Sequence, residues 1–290
     1  MKILITGGSG FIGSHVSDIL SKNGHQIINL DIKIPKWKKK KQNFIKGKTN
    51  NLILLKKILK KIDVVYHFAG FSNLSIAKSY PIETIKNNIL DTMNLLKISN
   101  ETGVKKFIFA SSIYATSKQG SFYSCSKRAA EDYIIEYCKS IKLKFVILRF
   151  GTIFGPRSDL NNGVKKIIHN ALVNKKIEYQ GTKNASREYI HVLDAAKGCF
   201  EVLKKKYDNK IIRITGKKNI KVLTLLKFLQ NYLKIKKLKF LNKKNTGHYD
   251  IAPKKYSLRK DKKIFYKKNI NFKKSITSLI KETNIDSTII

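Results

Sequence analysis

Short, mostly apolar runs alternate with longer amphipathic segments along the first half of the chain. The runs occupy residues 2–6, 26–30, 64–68, 107–110 and 145–148. Between them, apolar residues recur at helical spacing, as in residues 11–20 and in the longer segments 81–100 and 123–140. Buried parallel strands are apolar on both faces and are joined by helices, so this pattern predicts an α/β fold with a doubly wound parallel sheet.

The alternation becomes less regular after Gly155 and Pro156. Helices are predicted at residues 164–174, 193–204 and 222–233, and short strands at 177–180 and 189–192. A mixture of this kind is typical of a smaller α+β lobe, which we expect on the carboxyl-terminal side and which returns in part to the main sheet.

The charge balance is strongly basic. The 290 residues include 60 basic and 19 acidic side chains, a formal net charge of +41. Such a charge raises nucleic acid or anionic membrane as a partner. Only six of the basic residues are arginine, however, and arginine is the residue that makes bidentate contacts with bases and phosphates. We therefore interpret the lysines as a solvated surface, and nucleic acid is not favoured as a partner.

Local features of composition change this picture little. The densest basic run, residues 36–41 around Trp37, is either an anion contact or a mobile loop. The three cysteines, Cys125, Cys138 and Cys199, are odd in number and lack metal-ligand spacing, so we expect no disulfide framework and no metal site. A reducing cytoplasm fits this usage. No apolar run is long enough to span a bilayer, so we expect no membrane insertion.

A glycine-rich loop separates the first predicted strand from the first helix. It contains Gly7, Gly10 and Gly13 with Phe11 and Ile12 between the last two, in the spacing G-x-x-G-x-x-G. Glycine permits a tight turn and lets backbone N–H groups approach a pyrophosphate, whose charge the helix N-terminus favours. The loop therefore predicts a dinucleotide site in a Rossmann-like sheet.

Asp31 ends the next predicted strand, eighteen residues after Gly13. A carboxylate there accepts hydrogen bonds from the adenosine ribose and repels a 2′-phosphate, which favours NAD over NADP. The nearby Lys33 keeps NADP open as an alternative, because a mobile lysine could neutralise that phosphate.

Three side chains have the spacing of a proton-transfer site. Tyr123 and Lys127 lie one helical turn apart, so the ammonium is expected to lower the tyrosine pKa, helped by a positive nicotinamide ring. Tyr123 could then act as general base towards a hydroxyl group. Ser112 ends a predicted strand and could hydrogen-bond the same oxygen. Taken singly, the pair could be an ordinary surface helix pair and Ser112 a turn former.

Together, in this order, the motifs resemble the extended short-chain dehydrogenase/reductases of the NAD-dependent epimerase/dehydratase family, and the resemblance covers most of the chain. The family's H-x-A-A/G strand end matches residues 67–70, and its N-x-x-G-T helix matches residues 88–92 with Asp91 in place of the glycine. The resemblance implies that Ser112, Tyr123 and Lys127 are catalytic. It places the cofactor against Gly7, Gly10, Phe11, Ile12, Gly13, Asp31, Ala69, Gly70, Asn88, Tyr123 and Lys127.

The resemblance also divides the chain by role. Residues 1–155 become an NAD-binding domain with returning segments near 188–215, and residues 156–290 become mostly a substrate-binding lobe. It further implies a homodimer through a helix pair that includes residues 123–140.

Two later segments point to the substrate. Residues 148–157 resemble the family's L-R-x-x-x-V-Y-G-P-R segment, and residues 186–194 resemble a segment of UDP-galactose 4-epimerases whose arginine binds the nucleotide diphosphate. Arg187 inherits that role, with Ser112 also on the substrate. The alternative is that Arg187 pairs with Glu188 or Asp194. His191 is expected to be structural.

The implied activity is C4 epimerisation of a nucleotide sugar through a transient ketosugar, in the supply of surface polysaccharide precursors. Alternatives within the family are a nucleotide-sugar reductase or dehydrogenase and a 4,6-dehydratase. The alternative of another class is a non-catalytic NAD- or RNA-binding protein on the same fold.

The chain also departs from the family pattern. Relatives carry Gly-Asp after the third strand, with the aspartate on adenine, whereas this chain has Gly47 and Lys48. Residues 113–115 lack the acidic pair of 4,6-dehydratases, which argues against dehydration because water loss needs both an acid and a base. Residues 248–253 have no clear second phosphate-binding arginine, and Arg259 is the only candidate nearby.

Overall fold

The computed structural model describes residues 1–37, 39, 42–241, 260–264 and 269–288, with side chains up to residue 284. The expectations for residues 248–253 and for Arg259 lie outside the described residues. The chain divides into two compact units. The first comprises Met1–Phe150, Ala196–Ile214 and Lys255–Ile264, and the second comprises Gly151–Ala195, Thr215–Lys254 and Phe265–Ile290.

The first unit is built on an eight-stranded parallel sheet. Its strands are β1 (Lys2–Thr6), β2 (Gln26–Asp31), β3 (Gln42–Lys46), β4 (Val64–His67), β5 (Lys106–Ser112), β6 (Lys144–Phe150), β11 (Lys210–Ile214) and β14 (Lys262–Lys263). Their order is β14-β11-β6-β5-β4-β1-β2-β3, and every neighbouring pair is parallel. The predicted α/β fold with a doubly wound parallel sheet is confirmed.

Helices cover both faces of this sheet. They are α1 (Phe11–Lys22), α2 (Leu52–Leu59), α3 (Leu74–Ser79), α4 (Pro81–Ile85), α5 (Asp91–Glu101), α6 (Ser121–Lys139) and α8 (Val192–Glu201). Leu4, Leu95 and Ile134 belong to one buried apolar cluster on the face covered by α2, α5 and α6. Side chains alternate along a strand, and on the opposite face Tyr66 donates a hydrogen bond to the Cys199 carbonyl of α8 at 2.6 Å.

The long helix predicted across residues 81–100 is interrupted. A π-helical turn, Lys86–Leu90, separates α4 from α5, and the Asp91 N–H donates to the Lys86 carbonyl five residues earlier. A hydrophobic pattern with helical period does not reveal one inserted residue, which is why the sequence predicts a continuous helix here. The turn buries Asn88, which is 1% exposed.

The second unit combines helices with three two-stranded sheets. Strand β7 (Thr152–Phe154) pairs with β10 (Tyr189–His191), β8 (Ile177–Gln180) with β13 (Leu238–Leu241), and β9 (Ser186–Arg187) with β12 (Ile220–Lys221). Its helices are α7 (Gly163–Asn174), α9 (Val222–Tyr232) and α10 (Phe272–Thr288). Ile168, Leu225 and Ile276 are fully buried in its apolar core.

Candidate functional site

The glycine loop is pressed against the end of β4. Gly7 has φ +71°, and a Cβ on it would lie 2.8 Å from the Ala69 backbone nitrogen. A Cβ on Gly13 would lie 2.2 Å from the Gly7 carbonyl oxygen. Any side chain at these two positions would push the loop away from the strand or from α1. Glycine is therefore needed at both positions, so that the loop backbone can contact the chain after β4 and the first turn of α1.

The loop leaves polar groups available to an anion. Helix α1 begins at Phe11 with Gly10 as N-cap, has no side-chain cap, and carries no acidic residue in its first turn. The Ser9 hydroxyl is buried without a hydrogen-bond partner among the described residues. Unsatisfied N–H groups at Phe11, Ile12 and Gly13, together with this hydroxyl, fit a pyrophosphate in charge and in hydrogen-bonding capacity. The residues present therefore fit a dinucleotide.

Asp31 lies at the end of β2, beside this loop. Its Oδ2 accepts a hydrogen bond from the Ser9 N–H at 3.0 Å, and its Oδ1 accepts one from the Lys33 N–H at 3.0 Å. A carboxylate oxygen can accept two hydrogen bonds, so each keeps a lone pair for a ribose hydroxyl. The two backbone bonds fix the orientation of the carboxylate.

A buried hydrogen-bond chain joins the glycine loop to the π turn. Thr6 Oγ1 lies 2.7 Å from His67 Nδ1, and His67 Nε2 lies 2.9 Å from Thr92 Oγ1. Thr92 donates its own hydroxyl proton to the Asn88 carbonyl, so its oxygen accepts from His67, which fixes the Nε2–H tautomer. Burial, and secondarily Lys127, lowers the His67 pKa to about 3. His67 is therefore a neutral linker at neutral pH.

Asn88 uses its side-chain amide to hold the loop after β4. Its Oδ1 accepts from the Phe71 N–H at 2.8 Å, and its Nδ2 donates to the Phe71 carbonyl and to Ser126 Oγ, both at 3.0 Å. A Cβ on Gly70, whose φ is +136°, would lie 2.6 Å from that Oδ1. Asn88 therefore fixes the loop that contains Ala69 and Gly70, two of the predicted cofactor-binding residues, through protein contacts.

Ser112, Tyr123 and Lys127 come together at the carboxyl ends of the strands. Ser112 ends β5, whereas Tyr123 and Lys127 lie on α6, and all three are at most 8% exposed. Ser112 Oγ accepts from the Tyr114 N–H at 3.2 Å, which leaves its hydroxyl proton for the Tyr123 oxygen. The Lys127 ammonium donates to the Ala110 carbonyl at 2.8 Å. The structure thus brings together the three residues that the sequence predicts to be catalytic.

The protonation of this group differs in one respect from the sequence expectation. Burial raises the pKa of Tyr123, and the hydrogen bond from Ser112 opposes that rise only in part. Burial also lowers the pKa of Lys127 to about 8, with Glu131 acting in the opposite direction. The protein groups alone thus keep Tyr123 protonated, since the ammonium points to the Ala110 carbonyl.

Sequence reasoning missed a buried charge cluster behind this group. Arg149, 1% exposed, donates to Glu131 through Nε at 3.0 Å and through Nη2 at 2.5 Å. Its Nη1 donates to Asp261 at 3.2 Å, and Ser111 donates to Glu131 at 2.5 Å. The only sequence signal was that Glu131 lies one helical turn after Lys127.

Arg187 and His191 belong to the second unit. Arg187, 8% exposed on β9, donates to the Ser186 carbonyl at 2.8 Å. Asp194, its predicted alternative partner, accepts from the Ile270 N–H at 2.8 Å. His191 lies on β10 with its ring edge-on to Phe154 at 5.5 Å. The substrate role of Arg187 stays a prediction.

None of the described helices is long and apolar enough to cross a membrane. The three cysteines are free thiols, with Cys125 exposed and Cys138 and Cys199 buried.

Comparison with known proteins gives consistent matches. Residues 3–215 match the family model described as NAD dependent epimerase/dehydratase family. A putative UDP-glucose 4-epimerase of Methanocaldococcus jannaschii is 31% identical over 237 residues, which are 74% of this chain and 77% of that protein. A dTDP-D-glucose 4,6-dehydratase of Dictyostelium discoideum is 32% identical over 71% of this chain but only 56% of its own length.

The fold also matches solved structures over nearly the full chain. The crystal structure of UDP-glucuronic acid 4-epimerase from Bacillus cereus in complex with UDP-glucuronic acid and NAD superposes with a TM-score of 0.85. It covers 98% of this chain and 99% of that one at 24% sequence identity, which supports the fold. With the family model matching most of the chain, this protein belongs to the NAD-dependent epimerase/dehydratase family, the family that its motifs resemble, and NAD is the cofactor of that family.

Proposed function

We propose that this chain is an NAD-dependent nucleotide-sugar epimerase that inverts C4 of the sugar through a transient ketosugar. The observation that carries the proposal is the buried group of Ser112, Tyr123 and Lys127, at the same sheet edge as the glycine loop and Asp31. A relative described as a putative UDP-glucose 4-epimerase supports it.

The three side chains divide the work of proton transfer. Tyr123 removes the proton of the sugar hydroxyl, and Ser112 donates a hydrogen bond to the same reacting oxygen. Lys127, one helical turn from Tyr123 on α6, is proposed to contribute its positive charge to lowering the tyrosine pKa. When bound, NAD supplies the acceptance and return of a hydride at the sugar carbon. The positive nicotinamide ring of bound NAD would add a charge that opposes the rise of the Tyr123 pKa.

The segment that contains Ser112, Tyr123 and Lys127 lacks the acidic residue that dehydration needs. Residues 112–127 contain no Asp or Glu. The buried Glu131 is held by Arg149 and Ser111 rather than presented to the site. Elimination of water needs an acid as well as a base, so epimerisation is favoured over the 4,6-dehydratase alternative.

Two further roles belong to this proposal. Arg187 is proposed to bind the substrate diphosphate, since its fork of donors suits a phosphate. The expected homodimer also stays a prediction; α6, the helix expected at its interface, exposes Phe122 (46%) and Tyr133 (57%).

An NMR assay with UDP-, dTDP- and GDP-linked sugars tests the proposal. We expect inversion at C4 without net accumulation of NADH, and Tyr123→Phe should lower turnover by a factor of about 100 to 10,000 because the general base is removed. Tyr133→Phe, an exposed tyrosine on the same helix, is the matched control and should keep full turnover. Stoichiometric NADH formation would indicate a dehydrogenase instead. Full turnover by Tyr123→Phe would remove the proposed base.

A further inference from the structure

Asp91 is a buried carboxylate without a cationic partner. It is 7% exposed, and its Oδ2 accepts a hydrogen bond from Thr49 Oγ1 at 3.2 Å. Within the described part of the chain no lysine or arginine pairs with it, and its Oδ1 accepts no hydrogen bond. Burial accordingly raises its pKa. The free Oδ1 is not among the fully buried atoms of the described residues that lack a partner, so this oxygen is open to a donor from a ligand.

The position of Asp91 points to the adenosine end of the dinucleotide site. Its partner Thr49 lies two residues after Gly47, whose N–H donates to the Asp31 carbonyl at 3.0 Å. Asp91 also follows Asn88 by one turn, and Asn88 holds the loop that contains Gly70. Asp91 thus lies, through Thr49, beside the segment that follows β3, and Gly47 in that segment is hydrogen-bonded to Asp31. Nucleotides bind outside the carboxyl ends of the strands in a doubly wound sheet.

Two positions at which the chain departs from the family pattern, 48 and 91, lie close together here. Position 48, where relatives carry an aspartate on adenine, is an exposed lysine here. Position 91, where the family motif has glycine, is an aspartate, and the residue next to Lys48 holds it. The segment after β3 therefore lacks the carboxylate of the relatives, whereas α5, which begins at Asp91, supplies one nearby.

We propose that Asp91 accepts a hydrogen bond from the exocyclic amine of the NAD adenine, in place of the acid that Lys48 replaces. This role rests on the proposed NAD site. It makes Asp91 a residue that selects adenine over bases that carry a carbonyl at the same position, because a carboxylate repels a carbonyl oxygen.

Calorimetric titration of nucleotide-free protein with NAD and with nicotinamide hypoxanthine dinucleotide tests this role. The second compound has a carbonyl where adenine has its amine. We expect the wild-type chain to bind NAD at least about tenfold more tightly, which is the usual size for a hydrogen bond to a charged group. Asp91→Ala should reduce this preference to about twofold or less. Because the preference is a ratio within one variant, a general loss of stability does not mimic the effect.

Two more variants complete the test. Glu101→Ala removes an exposed carboxylate from the far end of the same helix and should keep the tenfold preference. Lys48→Asp combined with Asp91→Ala returns the carboxylate to the β3 loop and should restore it. A tenfold preference in Asp91→Ala, or no preference in the wild type, would overturn the role of Asp91 alone. A double variant without preference would contradict the exchange of positions. Failure of the wild type to bind either dinucleotide would overturn the proposed function and this role with it.

Discussion

Lys127, one of the three proposed catalytic residues, is a buried side chain whose burial opposes folding. It is 6% exposed, and burial lowers its pKa from 10.5 to about 8, although Glu131 acts in the opposite direction. The folded protein therefore binds this proton more weakly than the unfolded chain does. Below pH 8 the group carries its charge in both states and the destabilisation is complete. Between pH 8 and 10.5 the unfolded state binds more protons, so stability rises with pH.

We expect Lys127→Met to raise the free energy of unfolding at pH 7 by up to about 3 kcal/mol, because the buried charge is removed. The same variant should lose activity. Thermal unfolding at pH 7 and pH 9.5 measures the difference from wild type, which should shrink at the higher pH. Lys139→Met, an exposed position on the same helix, serves as the control and should change little at either pH. A Lys127→Met variant less stable than wild type at pH 7 would contradict the sign.

Helix α6 and strand β6 are fastened by a buried ion pair. Arg149 on β6 holds Glu131 on α6 with two hydrogen bonds, and it also contacts Asp261. Asp261 in turn pairs with Arg213 on β11. Glu131, Arg149, Asp261 and Arg213 thus form a row of alternating charges. Removing one member would deprive the buried charge of its neighbour of a partner from the row. The row fixes the helix that carries Tyr123 and Lys127.

Glu131→Gln should lower the free energy of unfolding by about 3 kcal/mol, because it removes a charged partner from the buried Arg149. It should also lower the Lys127 pKa further, since Glu131 is the group that raises it. Urea denaturation measures the first effect and the pH profile of turnover the second. The matched change Glu136→Gln, at an exposed pair on the same helix, should cost less than about 0.5 kcal/mol. If both variants lowered the free energy of unfolding by the same amount, the buried pair would be no more stabilising than the exposed one.

Sequence reasoning could predict features that depend on local patterns. The apolar strands β1, β4 and β5 and the spacing of Tyr123 and Lys127 are visible in a single segment each. The contact of Arg149 with Asp261 joins residues 112 positions apart, and no local pattern reports it. The direction of the Tyr123 pKa also depends on burial rather than on spacing. The second unit carries the predicted substrate residue Arg187, and the family model ends at residue 215, so the choice of sugar and nucleotide is the least accessible from motifs.

The whole molecule carries far more positive than negative charge. Nineteen acidic residues cannot pair with 60 basic ones, so most lysines repel one another across the surface. Dissolved salt screens such repulsion over about 10 Å at 0.1 M ionic strength.

We therefore expect the melting temperature to rise when sodium chloride is increased from about 50 mM to about 500 mM. Differential scanning calorimetry measures it. Potassium chloride should give the same rise, because screening depends on ionic strength rather than on the cation. A melting temperature that falls with salt would mean that attractive ion pairs, such as the exposed Lys105–Asp63 pair, outweigh the repulsion.

The π turn at Lys86–Leu90 requires an exact number of residues in this segment of the chain. A π turn holds one residue more than an α turn, so removing one residue would convert it into a regular α turn. The backbone geometry that buries Asn88 would then be lost. The exposed Leu90 can change its side chain at little cost, whereas a one-residue deletion beside it would displace Asn88 from the loop that it holds at Phe71. In this segment, insertions and deletions should be far less tolerated than substitutions.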